Sequence, residues 1–243
     1  MRNSAEQPSQ FIGVGVGPGD PGLITLKAAD YIRNADIVSY IEGTEGQSQA
    51  RLIANEVLQT SRSDQREIAV LMPMSENREL ANQAYDQAAA DIQQALDQGL
   101  QVVFLCEGDP LFFGSFTYLL SRLDHNRCEV VPGISSIHAA ASALQQPLTL
   151  LKESFAVVSG RHSREHLVAA LQHHDSVVIM KAGRSRVRIL EALEATGRVD
   201  DAAYCEYIGR DNEWIEQDVR KLSVESGPYF SLFVVTRTSR AIS

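Results

Sequence analysis

The stretch FIGVGVGPGDPGLITLKAADYIRNADIVSYI, residues 11–41, contains one complete example of the pattern that decides the fold. Phe11–Gly17 is an apolar run of strand length, and Ile37–Ile41 is a second. Between them, apolar residues recur at helical spacing in the segment Leu23–Ala35. A strand, a helix and another strand in this order predict a parallel βαβ unit.

The same alternation of strand-like and helical segments continues through the first half of the chain. Three further strands are predicted, at Glu67–Pro73, Val102–Cys106 and Cys128–Gly133. A long helix rich in Ala and Gln is predicted over residues 77–96, and Gly99 suits the position that follows a helix C-terminus. The first half therefore predicts an α/β domain with a five-stranded, mainly parallel sheet.

The second half predicts a second α/β domain with a five-stranded, mixed sheet. Three strands alternate with helical segments, at Phe155–Gly160, Ser176–Lys181 and Ala202–Ile208. The segments 213–222 and Tyr229–Thr236 follow closely, and we predict that they pair with each other near the SGP turn. A boundary at Pro147–Glu153 then gives two domains, residues 11–147 and 148–240.

Composition limits the classes of function. The 243 residues are 44% hydrophobic, which is enough for a sizeable core, and a net charge of -9 disfavours nucleic acid or an anionic membrane as partner. Cys106, Cys128 and Cys205 show no short paired spacing, which is typical of a reducing compartment. Without a signal-like N-terminus or an 18-residue apolar run, we expect a cytoplasmic protein.

The Gly-rich loop GPGDPG, residues 17–22, lies between a predicted strand and a predicted helix. It matches G-x-G-x-x-G, and Glu42 lies about 20 residues further on, where a dinucleotide-binding fold has its ribose-binding acid. Pro18 and Pro21 weaken that match, because each removes an N–H that a pyrophosphate would need. Two other interpretations are a tight turn that leads into a helix and a backbone wall for a large flat ligand.

The segment EGDPLFFG, residues 107–114, directly follows a predicted parallel strand. Ligands of open α/β sheets bind at this carboxyl edge. Asp109 could accept hydrogen bonds from a ligand, and Phe112 and Phe113 could cover an aromatic ring. The alternative is an ordinary β-turn with a local aspartate cap.

Polar residues follow other predicted strands in the same way. Ser135 and Ser136 open an Ala-rich helix after a Pro-Gly turn, where they could cap the helix or bind a polar ligand edge. Basic residues cluster in GRHSR, residues 160–164, and GRSRVR, residues 183–188. Arginine suits carboxylates, although a solvated helix start explains each cluster equally well. The six histidines show no spacing that predicts a metal site.

Taken in order along the chain, these motifs resemble the tetrapyrrole methylase family. The resemblance extends from about Phe11 to Thr236 and includes the first Gly-rich loop, EGDPLFFGSF, VVPGISSIHAAASALQQPL and PYFSLFVV. Within the family, MPMS (Met72–Ser75), GDPLFFGSFTYL (Gly108–Leu119) and PYFSL (Pro228–Leu232) are most similar to the members that methylate C20 of precorrin-2. Uroporphyrinogen-III methyltransferases share the loop and the GDP and VPG turns, but they usually lack MPMS and PYFSL.

The resemblance implies a cytoplasmic homodimer that binds S-adenosylmethionine in the cleft between its two domains and acts on a small-molecule tetrapyrrole. The residues carried over as cofactor neighbours are Pro18, Glu107, Gly108, Asp109, Phe112, Ser135, Ser136, Met180 and Ile208. Glu107 and Asp109 are candidate catalytic bases by their location. The residues expected to bind the substrate are Gly17 and Gly19 in the loop, and Arg161, Arg164, Arg184 and Arg186 for its carboxylates.

Three alternatives to C20 methylation of precorrin-2, with or without cobalt, stay open at this point. The first is methylation of another position, including C2 and C7 of uroporphyrinogen III. The second is a NAD-dependent oxidoreductase that uses GPGDPG, and the third is a binding module without catalysis.

Overall fold

A computed structural model describes residues 9–43, 46–73 and 78–237. The chain divides into two units, Met1–Ser135 and Ser136–Ser243. The sequence-based boundary at Pro147–Glu153 lies one helix further along the chain and stays a prediction. Each unit contains one five-stranded sheet. In the described part of the chain, no helix combines the length and the apolar character that a membrane span needs.

The first unit has a wholly parallel sheet with the strand order β3-β2-β4-β1-β5. Its described strands are β1 (Phe11–Gly15), β2 (Ile37–Glu42), β3 (Arg66–Leu71), β4 (Val102–Cys106) and β5 (Cys128–Val131). Its described α-helices are α1 (Leu26–Asn34), α2 (Gln49–Ile53), α3 (Asn55–Leu58), α4 (Arg78–Asp97) and α5 (Phe116–Leu120). The parallel α/β sheet predicted for this half is therefore confirmed.

Helices cover both faces of this sheet, which explains why its central strands are continuous apolar runs. Every residue of β1 and β4 is buried. Ile12 packs on the face that α1 covers, whereas Phe11 packs on the opposite face with α4 and α5. There Phe116 of α5 stacks on Phe11 with 5.1 Å between the ring centroids. The sheet is thus a rigid frame for the turns at its carboxyl edge.

The second unit has a mixed sheet with the order β6-β7-β10-β8-β9. Its described strands are β6 (Phe155–Ser159), β7 (Ser176–Met180), β8 (Ala202–Glu206), β9 (Trp214–Glu216) and β10 (Ser231–Thr236). Its described α-helices are α6 (Ser136–Leu144), α7 (Arg164–His173) and α8 (Arg186–Thr196). Strand β6 is parallel to β7, while β10 is antiparallel to β7 and β8, so the predicted mixed sheet is confirmed.

The predicted pairing of the last two strands is wrong. Strand β9 pairs with β8 at the edge of the sheet, and β10 lies in the centre between β7 and β8. All six residues of β10 are buried, whereas β9 has three residues and Trp214 is 43% exposed. The strand order therefore follows from burial of the longer apolar strand β10, and not from the short distance in sequence between β9 and β10.

Candidate functional site

Three turns meet at the carboxyl edge of the first sheet, after its neighbouring strands β4, β1 and β5. The backbone N–H of Gly108 donates to the carbonyl of Gly17 at 2.8 Å, and Val16 donates to Cys106 at 2.9 Å. The turn after β5 contains Gly133, which lies against both of the others. We call these three segments, residues 15–19, 107–112 and 132–135, the turn cluster.

The turn cluster is packed backbone against backbone. A Cβ atom added to Gly133 would collide with the carbonyl oxygen of Gly108 and would lie 2.6 Å from Cα of Gly15. One added to Gly15 would lie 2.5 Å from Cα of Gly133. Gly108 itself has φ +65°, a conformation that glycine adopts without strain. Glycine is therefore required at Gly15 and Gly133 by close approach of the chain, and it is favoured at Gly108 by the backbone conformation.

Asp109 holds two of these turns together. One of its carboxylate oxygens accepts a hydrogen bond from the N–H of Leu111 at 2.9 Å, and the other accepts from the N–H of Gly133 at 3.0 Å. Since both oxygens are engaged by backbone donors, the geometry supports a positioning role for Asp109. Glu107 lies in the same turn and, like Asp109, is half-buried.

The first Gly-rich loop folds into a short 3₁₀ turn, Pro21–Leu23, and α1 begins only at Leu26 behind the N-cap Thr25. The helix start predicted at Leu23 is therefore wrong. Asp20 caps the 3₁₀ turn by accepting from the N–H of Gly22 at 2.7 Å. Just after the loop, the N–H groups of Leu23 and Ile24 donate to the carbonyls of Asp20 and Pro21, and Pro18 and Pro21 themselves have no N–H to offer a pyrophosphate. This geometry disfavours the dinucleotide interpretation.

The other sequence-predicted residues of the first unit lie in the turn cluster. Gly17 and Pro18 are buried, and Gly19 is half-buried. Phe112 is half-buried against Phe113 in an edge-to-face contact. Ser135 is 7% exposed. Of the MPMS motif, Met72 and Pro73 follow β3, whereas Met74 and Ser75 lie outside the described residues.

The second unit has a basic carboxyl edge. Strands β6, β7 and β8 all end there, because β10 is antiparallel to both β7 and β8. Met180 ends β7 and is half-buried, and Ile208 follows β8 and is buried. Ser136 is the first residue of α6. Three exposed arginines follow β6 and β7, namely Arg161, Arg164 and Arg184.

Lys181 is a member of this basic edge that the sequence analysis missed as a site residue. It directly follows β7 with φ +55°, and its backbone lies beside Gly160, at the end of β6. Burial lowers the pKa of Lys181, and the positive charge of Arg161 lowers it further. Its sequence signal was the single charge at the end of the apolar run VVIMK.

Arg186 does not belong to the exposed arginines, which corrects its predicted substrate role. It is 6% exposed, and its Nη2 atom donates to Glu206 Oε1 at 2.9 Å and to the Tyr204 hydroxyl at 2.8 Å. Its guanidinium carbon also lies 4.7 Å from the centre of the Tyr204 ring. These contacts place Arg186 in the interior of the second unit as a structural residue.

Two of the three cysteines, Cys106 and Cys205, are unsuited to act as nucleophiles. Burial raises the pKa of Cys205 to about 12 and that of Cys106 still further above the ordinary range. Both side chains are buried, so neither would form the thiolate that a nucleophile requires. Among the residues that the structure describes, no group of three or more His, Cys, Asp and Glu side chains could hold a metal ion.

The sequence is similar to enzymes of one class. A family model described as Tetrapyrrole (Corrin/Porphyrin) Methylases matches residues 10–222. The chain is 36% identical to the cobalamin biosynthesis protein CobIJ of Mycobacterium tuberculosis, over 90% of the chain but only 44% of that longer relative. It is 33% identical to a precorrin-2 C(20)-methyltransferase of Sinorhizobium sp, over 93% of the chain and 94% of the relative.

Two further comparisons extend this result. A cobalt-precorrin-2 C(20)-methyltransferase of Salmonella typhimurium is 29% identical, over 91% of the chain and 93% of the relative. A solved structure of uroporphyrin-III C-methyl transferase from Thermus thermophilus, complexed with S-adenyl homocysteine, superposes with a TM-score of 0.65. It covers 94% of this chain and 98% of its own, and at 24% identity it shows the same fold.

Proposed function

Since this chain belongs to the tetrapyrrole (corrin/porphyrin) methylase family, we propose that it transfers a methyl group from S-adenosylmethionine to C20 of precorrin-2 or of cobalt-precorrin-2. The main support for the proposal is the similarity of this chain to the Sinorhizobium C(20)-methyltransferase along nearly the full length of both chains. The reaction belongs to cobalamin biosynthesis, as the name of the Mycobacterium relative also states.

We propose that the turn cluster provides the first unit's part of the cofactor site. The half-buried ring of Phe112 suits an adenosine, and Pro18 and Ser135 are buried in the same cluster. None of the nine predicted cofactor residues is basic, and two of them, Glu107 and Asp109, are acidic, which suits a sulfonium. The roles of Met180 and Ile208 stay predictions.

The proposed methyl transfer depends more on the correct positioning of the two reactants than on a reactive side chain. When bound, S-adenosylmethionine supplies a methyl group on a positively charged sulfur, and the electron-rich C20 carbon attacks it in line. Dry, apolar surroundings favour this step because positive charge on sulfur disappears as the new bond forms. The rigid backbone of the turn cluster would hold the reacting atoms in a fixed orientation. Glu107 and Asp109, both half-buried acids of the turn cluster, are the two candidate bases for the removal of the C20 proton.

We propose that the basic carboxyl edge of the second unit binds carboxylates of the tetrapyrrole. Positive charge is placed there by Arg161, Lys181 and Arg184, although the chain as a whole is acidic.

We also propose a homodimer in the cytoplasm that binds no nucleic acid, in line with the net charge of -9. Analytical ultracentrifugation would test the dimer directly.

Product analysis tests the proposed reaction. The protein is incubated with precorrin-2, with and without cobalt, and with S-adenosylmethionine carrying a ¹³C-methyl group. We expect one new ¹³C signal at C20, and the preferred substrate identifies the metal state. In a parallel incubation with uroporphyrinogen III, a new methyl at C2 or C7, with none at C20 of precorrin-2, would contradict the assignment. Tight binding of S-adenosylhomocysteine without turnover would indicate a binding module, and stabilisation by NADH alone would indicate an oxidoreductase.

Arg184→Ala should raise the KM for the tetrapyrrole about tenfold and leave the affinity for S-adenosylhomocysteine unchanged. A charge-assisted hydrogen bond is worth about 1.5–3 kcal/mol, and 1.4 kcal/mol corresponds to a factor of ten. Steady-state kinetics and calorimetry measure the two quantities. Arg33→Ala is the matched control, because Arg33 lies on α1 of the first unit and pairs with Asp30. Equal kinetics for both variants would remove Arg184 from the substrate site.

A further inference from the structure

Phe113, the residue that directly follows the turn cluster, lies in a strained backbone conformation. Its φ of +57° belongs to the left-handed region, where a Cβ atom comes too close to the following carbonyl oxygen. Turns ordinarily place glycine, asparagine or aspartate in this conformation. The segment GDPLFFG has a bulky aromatic residue there instead, at a cost in stability.

The surrounding turn holds the backbone on both sides of Phe113. Before it, the N–H of Leu111 donates to the carboxylate of Asp109 at 2.9 Å. After it, Gly114 packs on the backbone of Pro110, since a Cβ atom at Gly114 would lie 2.5 Å from the Pro110 carbonyl oxygen. Because both flanks are held, the turn sets the direction in which the Phe113 side chain leaves the backbone.

The Phe113 ring gains little from burial. It is 47% exposed, whereas the rings of Phe104 and Phe116 in the same unit are wholly buried. Leu111, two residues earlier in the turn, is 52% exposed. The half-buried Phe112 supports the Phe113 ring in an edge-to-face contact, with 5.1 Å between the centroids. The turn after β4 thus presents a supported aromatic ring to solvent.

Neither the strain nor the exposure of Phe113 stabilises the protein. Asparagine at this position would adopt the same φ more readily and would be well hydrated. Strained residues cluster at sites that bind ligands or change conformation, so the ring points to a bound ligand. The two acids of the same turn, Glu107 and Asp109, disfavour a carboxylate close by. The part of the ligand that meets Phe113 should therefore be apolar.

We propose that Phe113 is a substrate-binding residue, whose ring contacts the apolar face of the tetrapyrrole macrocycle. This inference rests on the proposed function and deepens it, because it assigns the first unit a share in substrate binding. A tetrapyrrole carries its carboxylates at the rim of the ring system, which leaves a wide apolar face for an aromatic side chain. Leu111, exposed in the same turn, adds apolar surface for that face.

Equilibrium binding of precorrin-2 tests this assignment, with S-adenosylhomocysteine present so that no methyl transfer occurs. We expect Phe113→Asn to raise the Kd for precorrin-2 about tenfold and to leave the Kd for S-adenosylhomocysteine unchanged. Anaerobic absorbance titration and calorimetry measure the two constants. Phe113→Tyr, which retains the ring, should bind precorrin-2 about fivefold more tightly than Phe113→Asn.

Leu151→Asn is the matched control for the substitution. Leu151 is also exposed and has φ +44°, but it lies in the second unit, so this variant should bind precorrin-2 as the unaltered protein does. Phe113→Asn should melt close to the temperature of the unaltered protein, since asparagine tolerates the same backbone conformation.

Two results for Phe113→Asn would overturn the proposal. The first is an unchanged affinity for precorrin-2; if the dimer also dissociated, the ring would belong to a contact between two copies. The second is an equal loss of affinity for precorrin-2 and S-adenosylhomocysteine, which would give the ring a role in cofactor binding or in folding.

Failure of the proposed function gives a different result. If the unaltered protein binds precorrin-2 but places no methyl group at C20, the reaction assigned above is wrong, and the Kd values still decide whether Phe113 meets the macrocycle. Absence of precorrin-2 binding by the unaltered protein would refute both.

Discussion

Gly133→Ala should lower the free energy of unfolding by about 3 kcal/mol and reduce the affinity for S-adenosylhomocysteine strongly. The added methyl group would collide with the carbonyl of Gly108 and with the backbone of Gly15, and backbone atoms cannot rotate away as a side chain can. The turns must separate to admit it, which also strains the hydrogen bond from the Gly133 N–H to Asp109. Urea unfolding followed by circular dichroism measures the stability, and calorimetry measures the affinity.

Gly43→Ala is the control for this substitution. A Cβ atom at Gly43 would lie 3.9 Å from the Gln47 carbonyl, which is ordinary van der Waals contact, so we expect little change in either quantity. If Gly133→Ala were as stable as the control and bound the cofactor product normally, the close packing of the turn cluster would have no bearing on function. Normal stability with lost binding would show that the turns shift to admit the added methyl group and that this shift disrupts the cofactor site.

Arg186→Met should destabilise the second unit by about 4 kcal/mol, which is the second large effect that we expect. Methionine fills a similar volume, but it leaves the Glu206 carboxylate largely buried without its cation. It also removes a donor to the Tyr204 hydroxyl. Gly227 packs directly against this guanidinium, since a Cβ there would lie 2.8 Å from Arg186 Cζ. The loss should therefore loosen the segment that leads into β10.

A double-mutant cycle separates the ion pair from general packing. Combining Arg186→Met with Glu206→Gln removes the unpaired charge, and we expect it to restore at least half of the lost stability. Arg188→Met, on the same helix but exposed, should change the unfolding free energy by about 0.5 kcal/mol or less. Additive effects of the two buried substitutions would contradict a coupled pair.

The fold was predictable in outline because its signals are local. Nine of the ten described strands coincide with an apolar run identified from the sequence, and α4 coincides with the predicted Ala-rich helix. The short strand β9 lies in the mostly polar segment 213–222. Glycine-containing turns at strand ends also pointed to the carboxyl edge of the first sheet, where the turn cluster lies. The resemblance to tetrapyrrole methylases rests on the same segments, and the family match over residues 10–222 confirms it.

The roles of individual polar residues were less predictable. GPGDPG matched a dinucleotide motif by spacing, yet Asp20 uses the loop's own N–H group to cap a 3₁₀ turn. Arg184 and Arg186 are two positions apart in one basic cluster, but the first is exposed and the second is buried against Glu206. Spacing along the chain does not tell which side of a helix start faces the interior.

Periodicity and turn chemistry in the chain were sufficient to establish two α/β sheets and the order of their elements along the chain, and the resemblance of the motifs indicated the family. These properties depend on residues close together in the sequence. Tertiary structure alone decided that β10 inserts between β7 and β8, and that Asp109 joins the turn after β4 to Gly133. Each of these depends on burial and on hydrogen bonds between segments far apart in the chain, which no local pattern encodes.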